Sequence, residues 1–191
     1  MALTTTELKA IRDHAVQLRG RTEEEPSDKR PKSVEYLEEL LGDLSDEADY
    51  IALATLLESE YSFHGMLEEN ERLYLEQIAR QPSEPMPSIS FATFLLFEAN
   101  RPEDAALVIE DAIAKATAAK RFLRHAYNTA ARVFKRLERY PELETILTQL
   151  TELSSVHSSP DVAYEEDFLV GLPEGSVSAK VVSNYKASGS M

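Results

Sequence analysis

The strongest chemical signal in the chain is a basic run from Ala112 to Arg139 in which Glu138 is the only acid. Within it Arg132, Lys135 and Arg136 recur at helical spacing, so one helix face carries donors suited to charge-assisted hydrogen bonds with an anion. Exposed ion pairs contribute only about 0–1 kcal/mol each, so stability alone is a weak reason to gather so many cations. Other chemistry is thin. His64 and Glu68 stand four apart and could offer two metal ligands on one helix face, but no second His pair or HExxH spacing joins them, which favours a surface or turn histidine. Neighbouring carboxylates such as Glu38 and Glu39, or Glu68 and Glu69, fall on different helix faces and read as solvated surface. The absence of cysteine removes thiolate nucleophiles and thiolate metal sites, and with 6 glycines no phosphate loop or nucleophile elbow is found. No catalytic, metal or cofactor site is expected.

A formal net charge of −14 opposes general attraction to nucleic acid or to an anionic membrane. The charge is segregated, for between Ser33 and Ala79 the only basic residue is Arg72. No apolar run is long enough to span a bilayer and the first twenty or so residues lack a signal-peptide pattern, so a cytoplasmic protein is expected. At 191 residues and 43% apolar, the chain suits one domain with a substantial core.

The elements that position these residues read as helices. Thr4 and Glu7 form a capping box, and Leu8, Ile11, Ala15 and Leu18 follow at helical spacing, giving a helix over residues 1–20. Residues 21–32, charged and bracketed by Pro26 and Pro31, read as a mobile linker. Ser33 is expected to cap a helix ending at Gly42, and Ser45 the next, whose inner stripe would be Ala48, Ile51, Ala52, Thr55 and Leu56. After a break near Tyr61–Gly65, Met66, Leu67, Asn70, Leu73, Tyr74 and Ile78 share one side of another helix. Pro82, Pro85 and Pro87 turn the chain.

One helix-turn-helix pattern then occurs twice, as Phe91–Lys115 and as Thr129–Leu153. Sliding the copies by 38 residues sets Arg101 on Arg139, Ala105 on Leu143 and Ile109 on Leu147. Asn100 and Pro102 mark the first turn, and Arg139–Pro141 the second. Ala105, Ile109 and Ala112 in one copy, and Tyr127, Ala131 and Phe134 in the other, occupy positions that resemble the tetratricopeptide repeat. The resemblance covers Met86–Leu153 well, Ser45–Arg80 weakly, and nothing else. The offset exceeds that family's repeat of about 34 residues, no closing proline stands at Thr117, and Leu143 and Leu150 replace small residues, as suits a terminal unit.

The resemblance implies an all-α array of antiparallel helix pairs, an α-solenoid over residues 33–153 with roughly seven helices in the chain and no central sheet. The core is expected to include Ile51, Leu67, Leu73, Leu96, Ala105, Ile109, Ala131, Phe134 and Leu147. It further implies that the first helix of each unit lines a groove, setting His125, Asn128, Arg132, Lys135 and Arg136 beside Phe94 and Phe97. Phe91 and Phe94 have a competing place in the core. Such a surface suits a non-enzymatic interaction module for an acidic or C-terminal peptide segment, with no nucleic acid or membrane partner; a chaperone for a secreted or assembling partner, or a non-catalytic subunit of an enzyme complex, is the alternative. A homo-oligomer is compatible with the pattern. Residues 154–191 read as a partly ordered, Ser-rich acidic tail, with a capping helix or a ribbon of Phe168–Val170 and Val177–Val182 as other outcomes. Glu165, Glu166 and Asp167 would make that tail a tethered competitor for the groove.

Overall fold

The computed structural model describes residues 3–19, 29–44, 46–156 and 168–188. Among them the chain is all-α: nine helices and no strand, against the seven or so expected. Two compact units meet in sequence between Gln77 and Ile78.

The first unit holds α1 (Thr5–Arg19), α2 (Lys32–Gly42), α3 (Glu47–His64) and most of α4 (Leu67–Arg80). The capping box forms as the sequence predicts: Thr4 N–H donates to Glu7 Oε2 at 2.7 Å and Glu7 N–H to Thr4 Oγ1 at 3.2 Å. α1 packs on α2 and α3 through buried Ala15. Leu3 N–H reaches Asp49 Oδ1 at 2.7 Å, which ties the start of α1 to the first turn of α3.

Several local expectations are corrected here. Pro31, not Ser33, precedes α2, and Ser33 is buried inside its first turn. Asp46 caps α3, accepting from the N–H groups of Ala48 and Asp49, while Ser45 lies outside the described residues. The inner face of α3 is Tyr50, Leu53, Ala54, Leu57 and Tyr61 rather than the stripe from Ala48 to Leu56. Apolar residues run around the whole circumference of this helix, so spacing alone does not select the buried side. Ile51 is only half-buried and Leu67 is exposed, whereas Leu73 is core as expected. α3 ends at Gly65, whose φ of 67° a side-chain-bearing residue would adopt only with strain. Most of the linker lies outside the described residues, but Arg30 is held by Glu38.

The second unit contains α5 (Pro85–Phe97), α6 (Pro102–Ala119), α7 (Leu123–Arg136), α8 (Tyr140–Val156) and α9 (Ala179–Ser188). Each packs on the next, and α5 also touches α7. Pro85 and Pro102 open their helices, where a missing N–H costs nothing. Tight joints follow from left-handed residues: Asn100 at φ 52°, Lys120 and Phe122 at 53° and 60°, and Glu138 at 57°. The buried faces of α6 and α7 are built on alanine, with Ala105, Ala112 and Ala116 on one and Ala126, Ala130 and Ala131 on the other. Leu96, Ile109, Phe134 and Leu147 complete the expected core.

The end of the chain departs from the ribbon reading. Residues 168–178 form turns, with Gly171 and Gly175 at positive φ, and α9 packs on α8. Phe168, Val177 and Tyr185 are buried, and Ser178 donates from its backbone N–H and its Oγ to the Glu144 carboxylate at 3.2 and 2.5 Å. α8 is therefore covered, and its large Leu143, Leu147 and Leu150 are packed away rather than left on a terminal face. Glu165, Glu166 and Asp167 lie outside the described residues.

Candidate functional site

α7 is strongly two-faced. Ala126, Tyr127, Ala130, Ala131, Val133 and Phe134 face the core, which turns Arg132, Lys135 and Arg136 outward on the remaining arc. These three cations line a recess of about 420 Å³ together with Leu96, Phe97 and Asn100 from the end of α5 and the turn after it. Among the described residues the recess thus has one basic wall and one apolar wall, and none of those lining it is acidic.

The expected site residues divide. Phe97 is 61% exposed and stands in the recess with Arg132, Lys135 and Arg136. Phe94 is 1% exposed, and it stacks with Phe91 at a centroid distance of 6.3 Å inside the core, so placing it on a groove is corrected. Burial satisfies an apolar ring better than a solvated surface does, and α5 is apolar enough on all sides for spacing not to tell its faces apart. His125 is exposed and lies edge-on to Phe122 at 6.1 Å, outside the lining. Asn128 also lies outside it, its Oδ1 buried and without a hydrogen-bond partner among the described residues. Asn100 is the addition: its sequence signal is that of a left-handed helix terminator, and the fold turns its amide toward Arg136, whose Nη2 donates to Asn100 Oδ1 at 3.4 Å.

Charge pairing sets Lys135 and Arg136 apart from other cations of this unit. Lys115 pairs with Asp111 at 2.7 Å, Arg101 with Asp104 at 2.6 Å, and Arg121 with Glu84. Arg139 meets Glu142 at 2.7 Å and Glu110 at 3.6 Å, and hydrogen bonding from Arg139 lowers the Glu142 pKa. Among the described residues, Lys135 and Arg136 have no carboxylate within ion-pair distance, and the partner Arg136 does have is the neutral Asn100 amide.

The first unit holds a second cluster of polar groups. Glu60, 3% exposed, accepts from Arg19 Nε at 2.9 Å through both oxygens, and His64 Nε2 stands 3.8 Å from Glu60 Oε2 and 3.2 Å from Ser33 Oγ. The composition is that of a nucleophile relay, but the geometry is not. A relay needs the acid and the hydroxyl on opposite ring nitrogens, and here both meet Nε2. Ser33 is also sealed from solvent. Burial lowers the His64 pKa, against an opposing pull from Glu60. His64 ends α3 and Glu68 lies in α4, separated by Gly65, so the two do not share a helix face. Nearby, Tyr61 donates to Glu38 at 2.6 Å, and Arg30 pairs with the same carboxylate. Burial alone would raise the Glu38 pKa, but those two hydrogen bonds outweigh it and lower the value.

Among the described residues no group of three or more histidines or carboxylates is arranged to hold a metal ion, and no helix is long and apolar enough to cross a membrane. No family model matches the chain, nor does any curated protein or solved structure.

Proposed function

We propose that the protein is a non-enzymatic interaction module that binds an acidic or C-terminal carboxylate-bearing peptide in the α7 recess. In this reading α5–α6 and α7–α8 are successive antiparallel pairs of a tetratricopeptide-like array. The contact of α5 with α7, one helix removed in sequence, supports it, because stacked two-helix units bring their first helices together. The observation that carries the reading is the recess itself, where three cations and an exposed phenylalanine converge among the described residues. Arg132, Lys135 and Arg136 hold the anionic group, and Phe97 and Leu96 take an adjoining apolar side chain.

The test is a titration of acidic peptides, with free and amidated C-termini, into the wild type and into Arg132→Glu/Lys135→Glu. Each charge-assisted hydrogen bond is worth about 1.5–3 kcal/mol, so the double reversal should weaken binding at least about a hundredfold. Equal binding by both proteins would remove the recess from consideration.

A further inference from the structure

We infer that His64 makes the docking of α1 pH-dependent: on protonation the imidazolium replaces Arg19 as the cation on Glu60, and the C-terminal end of α1 is released. This switch lies within the first unit and needs nothing from the α7 recess. One buried carboxylate there has two cation-forming groups within reach, on different helices. Glu60 of α3 is 3% exposed and accepts from Arg19 Nε of α1 through both oxygens at 2.9 Å. His64 Nε2, one turn along α3, stands 3.8 Å from Glu60 Oε2. Arg19 also lies over the Phe63 ring, 4.3 Å from its centroid, so the last turn of α1 is fastened to the end of α3. The other end of α1 is tied separately, by Leu3 N–H to Asp49 Oδ1 at 2.7 Å. Among the described residues the charged groups facing His64 are Arg19 from α1 and Glu60 from its own helix, and α2 presents the Ser33 hydroxyl at 3.2 Å.

The neutral ring is satisfied by Ser33 and leaves Glu60 to Arg19. A proton on His64 sets a second cation beside a carboxylate that already holds one, and the two cations repel where burial limits screening. Arg19 is the one able to leave, because its side chain is 26% exposed and reaches water, whereas His64 is carried by the same helix as Glu60. Glu60 therefore keeps a cationic partner in both states, and neither state strands a buried charge. Burial is the largest cause lowering the His64 pKa; Glu60 raises it and Arg19 lowers it. Withdrawal of Arg19 admits water and removes that repulsion while Glu60 remains, so the released state holds the proton more tightly. Acid thus favours release, beginning as pH falls through the ordinary 6.5. Release uncovers Ala15, which is 1% exposed when α1 is docked.

The test is backbone hydrogen exchange on the full-length chain at about pH 7.5 and about pH 5.5, corrected for the intrinsic rate at each pH, in wild type and His64→Gln. Opening of Asp13 to Arg19 is expected to rise severalfold at the lower pH in wild type, with α2 and α3 little changed, and to stay level in His64→Gln. A second measurement needs no opening and does not depend on that variant: the imidazole signals of His64 are titrated by NMR in wild type and in Arg19→Ala. The midpoint should move up in Arg19→Ala, because a repelling cation is gone and Glu60 is left to the imidazolium. A midpoint unchanged or lowered would overturn the exchange of partners. So would an equal acid response in His64→Gln, a response spread evenly over α1 to α3, or no acid response in wild type.

Discussion

Arg136 Nη2 donates to Asn100 Oδ1 across 3.4 Å, joining the last turn of α7 to the turn that follows α5. Asn100 holds a left-handed conformation at φ 52°, so its amide is aimed by backbone geometry. Asn100→Gly keeps that conformation and deletes the amide. Stability should change by no more than about 1 kcal/mol, while peptide affinity falls severalfold because Arg136 loses its anchor. Calorimetric titration beside a denaturant melt separates the two effects.

Phe94 and Phe97 are three residues apart and should behave as opposites. Phe94→Ala removes a fully buried ring and should cost about 3–5 kcal/mol. Phe97→Ala should change stability by no more than about 0.5 kcal/mol and register only in ligand binding. Urea midpoints of the two variants decide the matter, and equal destabilisation would mean that Phe97 is packed.

Arg19 and Glu60 make a pair whose acid is almost sealed from water. Arg19→Ala strands that charge and should cost about 3 kcal/mol, whereas Arg19→Met with Glu60→Leu should cost distinctly less, since no buried charge is left. Hydrogen exchange in α1 reads the first effect locally, and equal costs would contradict the assignment of Glu60 as a buried, paired charge.

The His64 and Glu38 shifts act in different pH windows. Burial depresses the His64 pKa below its ordinary 6.5, so the unfolded chain binds more protons just beneath that pH and stability is lost as pH falls through 6.5. His64→Gln should flatten the melting temperature between about pH 7 and 5.5 relative to wild type. Glu38, depressed below its ordinary 4.5, contributes stability that is complete above 4.5 and lost as pH falls beneath it. Glu38→Gln should therefore alter the profile only on the acid side.

Where helices are amphipathic, the residue pattern located them and chose their faces. α7 shows this, because its alternation of alanine and aromatic residues with cations left one way to bury it, and that fixed Arg132, Lys135 and Arg136 on the outside. α3 and α5 were located but not oriented, since both are apolar around most of their circumference. Hence Tyr50 and Leu53 replaced Ala48 and Thr55 on the inner face of α3, and Phe94 went to the core. α9 is short and carries Ser and Val at positions without a clear helical stripe, and its helicity comes with packing on α8. Asn100 was legible as a turn but not as part of a site, because no local pattern tells which turn will lie against α7. The Arg19–Glu60 contact joins residues 41 apart and has no local signal at all.

The most direct measurement is a map of backbone amide shifts in the labelled full-length chain on titration with the tightest peptide selected. The α7 recess predicts saturable changes at Leu96 to Asn100 and at Arg132 to Arg136, absent from Arg132→Glu/Lys135→Glu. Changes centred instead on the acidic α3 or α4, with the recess silent, would contradict it.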